Sequence, residues 1–551
     1  MECVSQNYGH LGGNYQINHQ IFEEYGETNE QRAAYTSSYL NLIYNYKNLT
    51  IGNRMELYRN PIDGFLEYEG YGIANSFIQY KNKLADITIG NFYEEFGSGL
   101  ILKTYYDPNL GIDNSIGGVK IKSSPFKGVY ITTLIGKQRS HWKEKSVDES
   151  TFSWSSNEYS NGLIKALNTD ISINEIMLKK WNTKINTGFS FVTKKEEDSH
   201  PRYILPENVG AFNGRLNISK KNVSISVDYA GKINDPSSDN NYIYQNGNAL
   251  ILTSNYSQKG FGVSFGLKRI QNMSFRSERN ASFQDLHINY ITPFTKQQAY
   301  ALATIYPYPS QPNGEMGSQI DIFYTIPKKT KLGGKYGTSL NINFANVFNI
   351  DQTLPKGIEQ LNERATIGYN SNFLKLGPDK LFQELNIEII KKVNKNFKLI
   401  GTYINLQNND KLLTSQDIMP GGTYEYIEAN IFILESILKN SKYLTLPLIG
   451  KTKPVIRSEI QHLSTKQHFG NWAMGLIELK LSKLFLSVQD LYNYGNDEKP
   501  HYYSMSAGYN KGASRLAVTY GKQRKGLFCV GGVCREVPAS SGLTISLTTS
   551  F

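Results

Sequence analysis

A two-residue alternation of apolar and polar side chains recurs along this chain, and it limits the possible folds more than any other feature. Leu40, Leu42, Tyr44 and Tyr46 oppose Asn41 and Asn45, and Val223, Ile225, Val227 and Tyr229 oppose Ser224, Ser226 and Asp228. Phe261, Val263, Phe265 and Leu267 oppose Gly262, Ser264, Gly266 and Lys268, while Leu340, Ile342 and Phe344 oppose Asn341 and Asn343. Leu516, Val518 and Tyr520 stand against Arg515, Ala517 and Thr519. At the end of the chain Leu543, Ile545, Leu547 and Phe551 stand against Thr544, Ser546, Thr548 and Ser550. A strand sends successive side chains to opposite faces, so each stretch has one greasy and one wet face. Soluble proteins also end in alternating edge strands, so the tail alone does not decide the class.

The connections add a second regularity. Very short polar turns occur at Lys47-Asn48, Lys81-Asn82-Lys83, Lys220-Lys221-Asn222, Gln258-Lys259-Gly260, Asn394-Lys395-Asn396 and Asn510-Lys511-Gly512. Between them lie long polar segments near 137–161, 195–208, 232–244, 272–283, 409–421 and 492–500. An outer-membrane barrel has short periplasmic turns on one rim and long extracellular loops on the other. The pattern predicts an all-β chain forming one large antiparallel transmembrane barrel of about 26 strands. Its closing strand pairs with one near residues 12–23. Strand assignment is ambiguous over residues 84–116 and 422–452, and residues 431–439 and 357–363 predict short helices.

Length alone would divide 551 residues into several soluble domains, but a barrel absorbs them as one. No Pro-rich or Ser-rich linker interrupts the chain, so residues 1–12 read as a periplasmic tail and residues 13–551 as the barrel. With Tyr 38, Phe 26, Gly 47 and 39% hydrophobic residues, the chain is aromatic-rich without being greasy. No stretch approaches the roughly 18 apolar residues of a membrane-spanning helix. The net charge of +11 is scattered, with no basic block, which argues against nucleic acid. It suits lipopolysaccharide phosphates or a lumen that favours anions, with solvated loop charge the plainer explanation at any single site.

In Cys529-Val530-Gly531-Gly532-Val533-Cys534 the two glycines let the loop turn tightly enough to join the sulfurs. A disulfide places the chain in an oxidising compartment; a metal site would need ligands that are missing nearby. Cys3 is left over. It does not head a mature lipoprotein, because Met1-Glu2 precede it without an apolar leader; the export signal expected of such a barrel is read as lost through trimming or a start codon placed too late.

From Gly90 through Asn91, Phe92, Tyr93, Glu94, Glu95, Phe96, Gly97 and Ser98 to Gly99 the alternation breaks. Three glycines surround two adjacent carboxylates. The segment reads either as a glycine-permitted kink in the wall or as a constricting or gating element that folds inward, with Lys103 available to pair a carboxylate. Together with Leu100, Asp107, the run Leu110-Gly111-Ile112-Asp113-Asn114 and the loop Cys529 to Arg535, this stretch resembles an uncharacterised outer-membrane β-barrel family of the Bacteroidota. The resemblance implies a barrel and its location. It carries no catalytic residues.

Enzymatic chemistry is not expected. Gly262-Val263-Ser264-Phe265-Gly266 matches G-x-S-x-G, but a nucleophile elbow needs a strand, a sharp turn and a helix, and this match lies inside unbroken alternation. His287 reads as a strand residue sharing a face with Asn289. His141, His200, His468 and His501 fall in or near loops, without an acid and nucleophile at readable spacing. No metal or cofactor motif is present.

The expected function is therefore a solute passage, porin-like or plugged. Lys120 and Lys122 share a lumen face, as do Arg457, Glu459 and Gln461. These charge rows either tune solute preference, weakly towards anions, or simply brace the wall. A TonB-dependent receptor is disfavoured, because alternation begins near Asn14 and leaves no room for an N-terminal plug domain. The alternative is a non-catalytic barrel subunit or scaffold in an outer-membrane assembly or secretion complex. Expected partners are outer-membrane lipid and lipopolysaccharide, the barrel-assembly machinery during insertion, and an envelope protein in the scaffold case.

Overall fold

A computed structural model describes residues 9–26, 33–62, 65–143, 152–177, 181–281, 285–413, 425–440, 442–446, 450–530 and 533–551. Cys3, most of the expected tail and the glycine pair Gly531-Gly532 lie outside the described residues. Among the described residues, 24 strands form one sheet in which sequence neighbours pair antiparallel. The ring closes where His10–Tyr25 meets Ser540–Ser550, with Asn14 opposite Ser550 and Tyr25 opposite Ser540. The terminal alternating strand is thus the closing strand, and its partner is the one expected. The first strand already begins at His10, so a boundary at 12/13 falls inside it.

The connections sort by rim. Leu49, Val223, Phe261, Leu484 and Ser514 each restart a strand after a two-residue turn on one rim, where Gly260 supplies a left-handed φ of +80°. The opposite rim carries the long connections, the longest being residues 272–313. Both described chain ends lie at the short-turn rim, since His10 pairs with Asn45 and Phe551 bonds Gly13.

Outward faces are apolar and uncovered: Phe432 and Leu434 are each 54% exposed, and Ile460, Ile477 and Val488 are exposed likewise. Inward faces are buried around most of the ring, against segments that descend from the long-loop rim. This explains one departure from expectation. Residues 431–439 are not a helix but part of the strand Tyr426–Lys439. Ile427, Ala429, Ile431 and Ile433 face an apolar core inside while Phe432 and Leu434 face outward, so the alternation disappears and only an apolar run remains. Residues 357–363 form turns rather than a helix, with Gly357 at φ +84°. His287 and Asn289 do not belong to a barrel strand; they lie within the descending segment of residues 272–313. Ser264 is a wall residue of the strand Phe261–Gln271, opposite Asn255 and Asp321, with no elbow around it.

Candidate functional site: the segments that close the lumen

Two connections leave the long-loop rim and pack inside the barrel. The first, residues 93–115, contains the glycine-rich stretch. Its base is fixed by a buried set of charges. Asp113 accepts a bond from Arg139 at 2.7 Å and from Tyr93 at 2.7 Å, and it pairs with Arg54. Glu56 lies 2.8 Å from Arg54 and 3.3 Å from Arg139. The Arg54 guanidinium also lies 3.8 Å from the centre of the Tyr106 ring. Burial by itself would raise the Asp113 carboxyl, but Arg139 and then Arg54 hold it below the ordinary carboxylate value.

From this base the segment crosses to the strands Asn208–Lys220 and Val223–Lys232. There the Ser98 hydroxyl donates to Asp228 at 2.7 Å and the Ser98 backbone at 3.0 Å. Gly97 makes the close approach, at φ +61°, where an added Cβ would stand 2.5 Å from Arg215 Cδ. Phe96, Leu100, Ile101 and Leu102 are fully buried beside wall residues such as Ile164, Val192 and Val209. Each such side chain contributes about 2 kcal/mol of burial.

Glu94 lies 3.2 Å from Lys120 and 2.7 Å from Lys122, and Glu95 lies 3.1 Å from Lys103. The Lys120 and Lys122 row therefore grips the segment through Glu94 and is not a bare anion-attracting wall.

The second connection, residues 272–313, runs against the first and then across the lumen. Lys103 N donates to Ile288 O at 2.8 Å, and Tyr290 N to Gly99 O at 3.0 Å. Asn289 donates to Leu100 O at 3.1 Å and to Met273 O at 2.7 Å. His287 is held through its carbonyl, which accepts from Gln138 at 2.8 Å and from Asn114 at 3.1 Å. Farther along, Lys296 donates to Asn386 at 2.9 Å, Gln298 to Glu384 at 2.7 Å and Tyr300 to Glu435 at 3.0 Å, and Leu302 N donates to Gln461 Oε1 at 2.9 Å.

Gln138 lies on Val129–Trp142 and Gln461 on Val455–Thr465, the seventh and nineteenth strands of the ring of 24 and so half a circuit apart. One segment thus bonds opposite walls. Leu302, Ala303, Ile305, Tyr306 and Tyr308 bury themselves against Leu406, Ile431, Leu463 and Trp472. Beneath Tyr300, Arg457 gathers Glu435 at 3.0 Å, Glu478 at 3.0 Å and Glu459. The Arg457 and Glu459 row thus braces an anchor of this segment.

Among the described residues, one sector of the ring remains uncovered. There Gln20, Gln489, Ser504, Thr519 and Thr544 line a cavity of about 310 Å³. The wet face of the terminal strand supplies part of this wall. Above it, a cavity of about 830 Å³ lies between the crossing segment and a hairpin formed by Gly526–Val530 and Val533–Val537; Gln523 and Arg524 line both cavities. A disulfide between Cys529 and Cys534 joins the hairpin strands, and Arg535 donates to Asn109 O at 2.7 Å. Replacing both cysteines by serine is expected to loosen this hairpin by about 2 kcal/mol, the closure entropy of so short a loop. Hydrogen exchange checks it: the hairpin amides should exchange faster while those of Ser540–Ser550 keep their protection.

Ser140 and His141 are the nearest approach to hydrolytic geometry. Ser140 Oγ lies 2.6 Å from His141 Nδ1, but Glu67 lies 3.5 Å from that same nitrogen. A triad needs serine and acid on opposite ring nitrogens, so this contact does not make a relay. Among the described residues no group of three or more His, Cys, Asp and Glu is placed to hold a metal.

The profile of one protein family matches residues 1–551, the whole chain. This protein belongs to the family of unknown function DUF6029. No functionally described protein matches its sequence. Among solved structures, this DUF6029 chain is similar to the siderophore receptor PirA from Pseudomonas aeruginosa, at 10% identity, 98% coverage of this chain and 80% of that one, with a TM-score of 0.38. It is also similar to the P pilus usher (PapC) translocation pore, at 8% identity, 98% and 99% coverage and a TM-score of 0.38. A third is OccAB4 from Acinetobacter baumannii, at 10% identity, 78% and 98% coverage and a TM-score of 0.37.

Proposed function

We propose that this protein is an integral barrel of the bacterial outer membrane and forms a plugged solute passage. The observation that carries the proposal is the segment of residues 272–313, which bonds opposite walls yet leaves one polar sector uncovered. The outward band of Phe432, Leu434, Ile460, Ile477 and Val488 supports lipid as its surroundings, with lipopolysaccharide at the long-loop rim. Barrels of this kind reach the membrane through the barrel-assembly machinery. The lumen segments narrow the passage, and the route runs along Gln489, Ser504, Thr519 and Thr544.

The experiment is solute flux into proteoliposomes carrying the full chain. The wild type should admit small hydrophilic solutes slowly. Thr519→Trp, which narrows the cavity of about 310 Å³ from an inward wall position, should reduce that flux severalfold. Unchanged flux in this variant would place the route elsewhere. The apolar cores on the inward wall favour a second reading, a permanently closed scaffold for an envelope partner. That reading predicts no flux from either protein and stable copurification of a partner in mild detergent.

A further inference from the structure

We propose that the cavity of about 830 Å³ is a binding site for an organic anion, held by Lys296, Arg524 and Arg535 beside the rings of Tyr306, Tyr308 and Phe382. The proposal rests on the passage reading and adds the class of solute to it.

Inside the barrel Arg54, Arg139, Lys194, Lys268, Arg276 and Arg279 each lie within ion-pair distance of a carboxylate, while the buried Lys232 and Arg269 are taken up by Ser274 O and by Asn248, Gln271 and Ser371. Lys296, Arg524 and Arg535 are absent from the ion pairs formed among the described residues. Their polar contacts are neutral: Lys296 donates to Asn386, Arg535 to Asn109 O and Glu536 O, and Arg524 to Lys525 O at 3.2 Å. Arg535 also lies over the Phe65 and Phe528 rings, at 5.0 and 5.7 Å from their centres. Among the described residues one carboxylate lines the cavity, Glu384; Gln298 already donates to it, and Lys296 approaches it without reaching an ion pair. Asp107 approaches Arg535 without reaching an ion pair.

Burial pulls the Arg524 guanidinium below its ordinary value, opposed by Tyr502 and Tyr306 and by no carboxylate. An incoming anion would supply the missing counter-charge, and two planar guanidiniums suit carboxylate, sulfonate or phosphate groups. The rings offer an apolar surface; Tyr308 and Phe382 lie 5.2 Å apart between centres. The volume is that of a site for a small organic molecule. Because Arg524 also lines the smaller cavity below, it stands where a solute would leave the binding site for the passage.

The test uses purified full-length protein in detergent and the fluorescent aromatic trianion pyranine, read by anisotropy, with citrate as competitor. Wild type should bind pyranine saturably, and citrate should displace it. Arg524→Gln and Arg535→Gln should each weaken binding about tenfold, the loss of one charge-assisted hydrogen bond. Arg524→Lys should keep part of the affinity and so separate charge from folding damage. Lys83→Gln, which removes the same charge at an exposed turn on the opposite rim, should bind as wild type does. Absence of saturable binding to wild type would overturn the proposal. So would full affinity in Arg524→Gln, or an equal loss in Lys83→Gln, which would reduce the effect to overall charge. Binding in detergent and flux in liposomes are separate readouts, so failure of the passage reading is distinguishable from failure of this site.

Discussion

Replacing residues 289–301 with a Gly-Ser linker of equal length is expected to turn a narrow, slow passage into a wide conducting pore. The exchange removes the Asn289 clasp and the anchors Lys296, Gln298 and Tyr300, which bond Asn386, Glu384 and Glu435. It leaves every wall pairing in place, because the strands on either side, Phe261–Gln271 and Gly314–Ile326, pair with each other directly along their lengths. Barrels with fewer strands already enclose aqueous channels when nothing fills them. Single-channel conductance in a planar bilayer should therefore rise by on the order of tenfold. A folded variant that conducts no more than wild type would show that residues 93–115 alone seal the lumen.

Asp113→Asn should have the second largest effect, and a local one. Asp113 and Glu56 together neutralise Arg54 and Arg139, all four buried. Removing one partner of a buried pair leaves charge uncompensated, at about 3–5 kcal/mol. The cost falls on residues 93–115, because the other three groups belong to the wall. Phe96 and Gly99 amides, bonded to Leu102 and Phe96 carbonyls, should lose exchange protection while the wall strands keep theirs.

The pH dependence follows from the direction of the shift. The Asp113 carboxyl is held below its ordinary value of about 3.9, so its contribution is fully present above that value. It is lost only as pH falls through the depressed value. Wild type should keep residues 93–115 anchored at neutral pH and loosen them in strong acid. Asp113→Asn should be loose already at neutral pH and show no such acid step. Equal protection in the two proteins at pH 7 would refute the anchoring role.

Much of the wall was legible in the sequence because an apolar outer face and a polar inner face enforce a strict period of two. Thr544, Ser546 and Thr548 show this at the closing strand, opposite Gln20, Asn18 and Gln16. Legibility failed where the lumen is not wet. Ile431 and Ile433 lie under the crossing segment, so their strand is apolar on both faces and reads as a helix. The crossing segment itself was concealed by local mimicry. Around His287 and Asn289 its side chains alternate as a strand's would, yet its bonds go to Gln138, Asn114, Leu100 and Met273.

The glycines and carboxylates of residues 90–99 marked an irregular segment. What Glu94 would meet depended on registers that sequence does not contain, and Lys120 and Lys122 turned out to grip it. Arg54 and Arg139 gave no signal, because each sits beside other charges on an ordinary alternating strand and only the fold brings the two together at Asp113. Arg524 gave none either, because its importance comes from two cavities meeting beside it.

The central claim is that residues 272–313 reach the opposite wall, and cysteine cross-linking in intact membranes tests it most directly. With Leu302→Cys and Gln461→Cys introduced together, a short bifunctional thiol cross-linker should join the two, since Leu302 N lies 2.9 Å from Gln461 Oε1. Leu302→Cys paired with Gln138→Cys, on the wall half a circuit away, should not cross-link. Joining of Leu302→Cys to Gln138→Cys, or to neither position, would contradict the account.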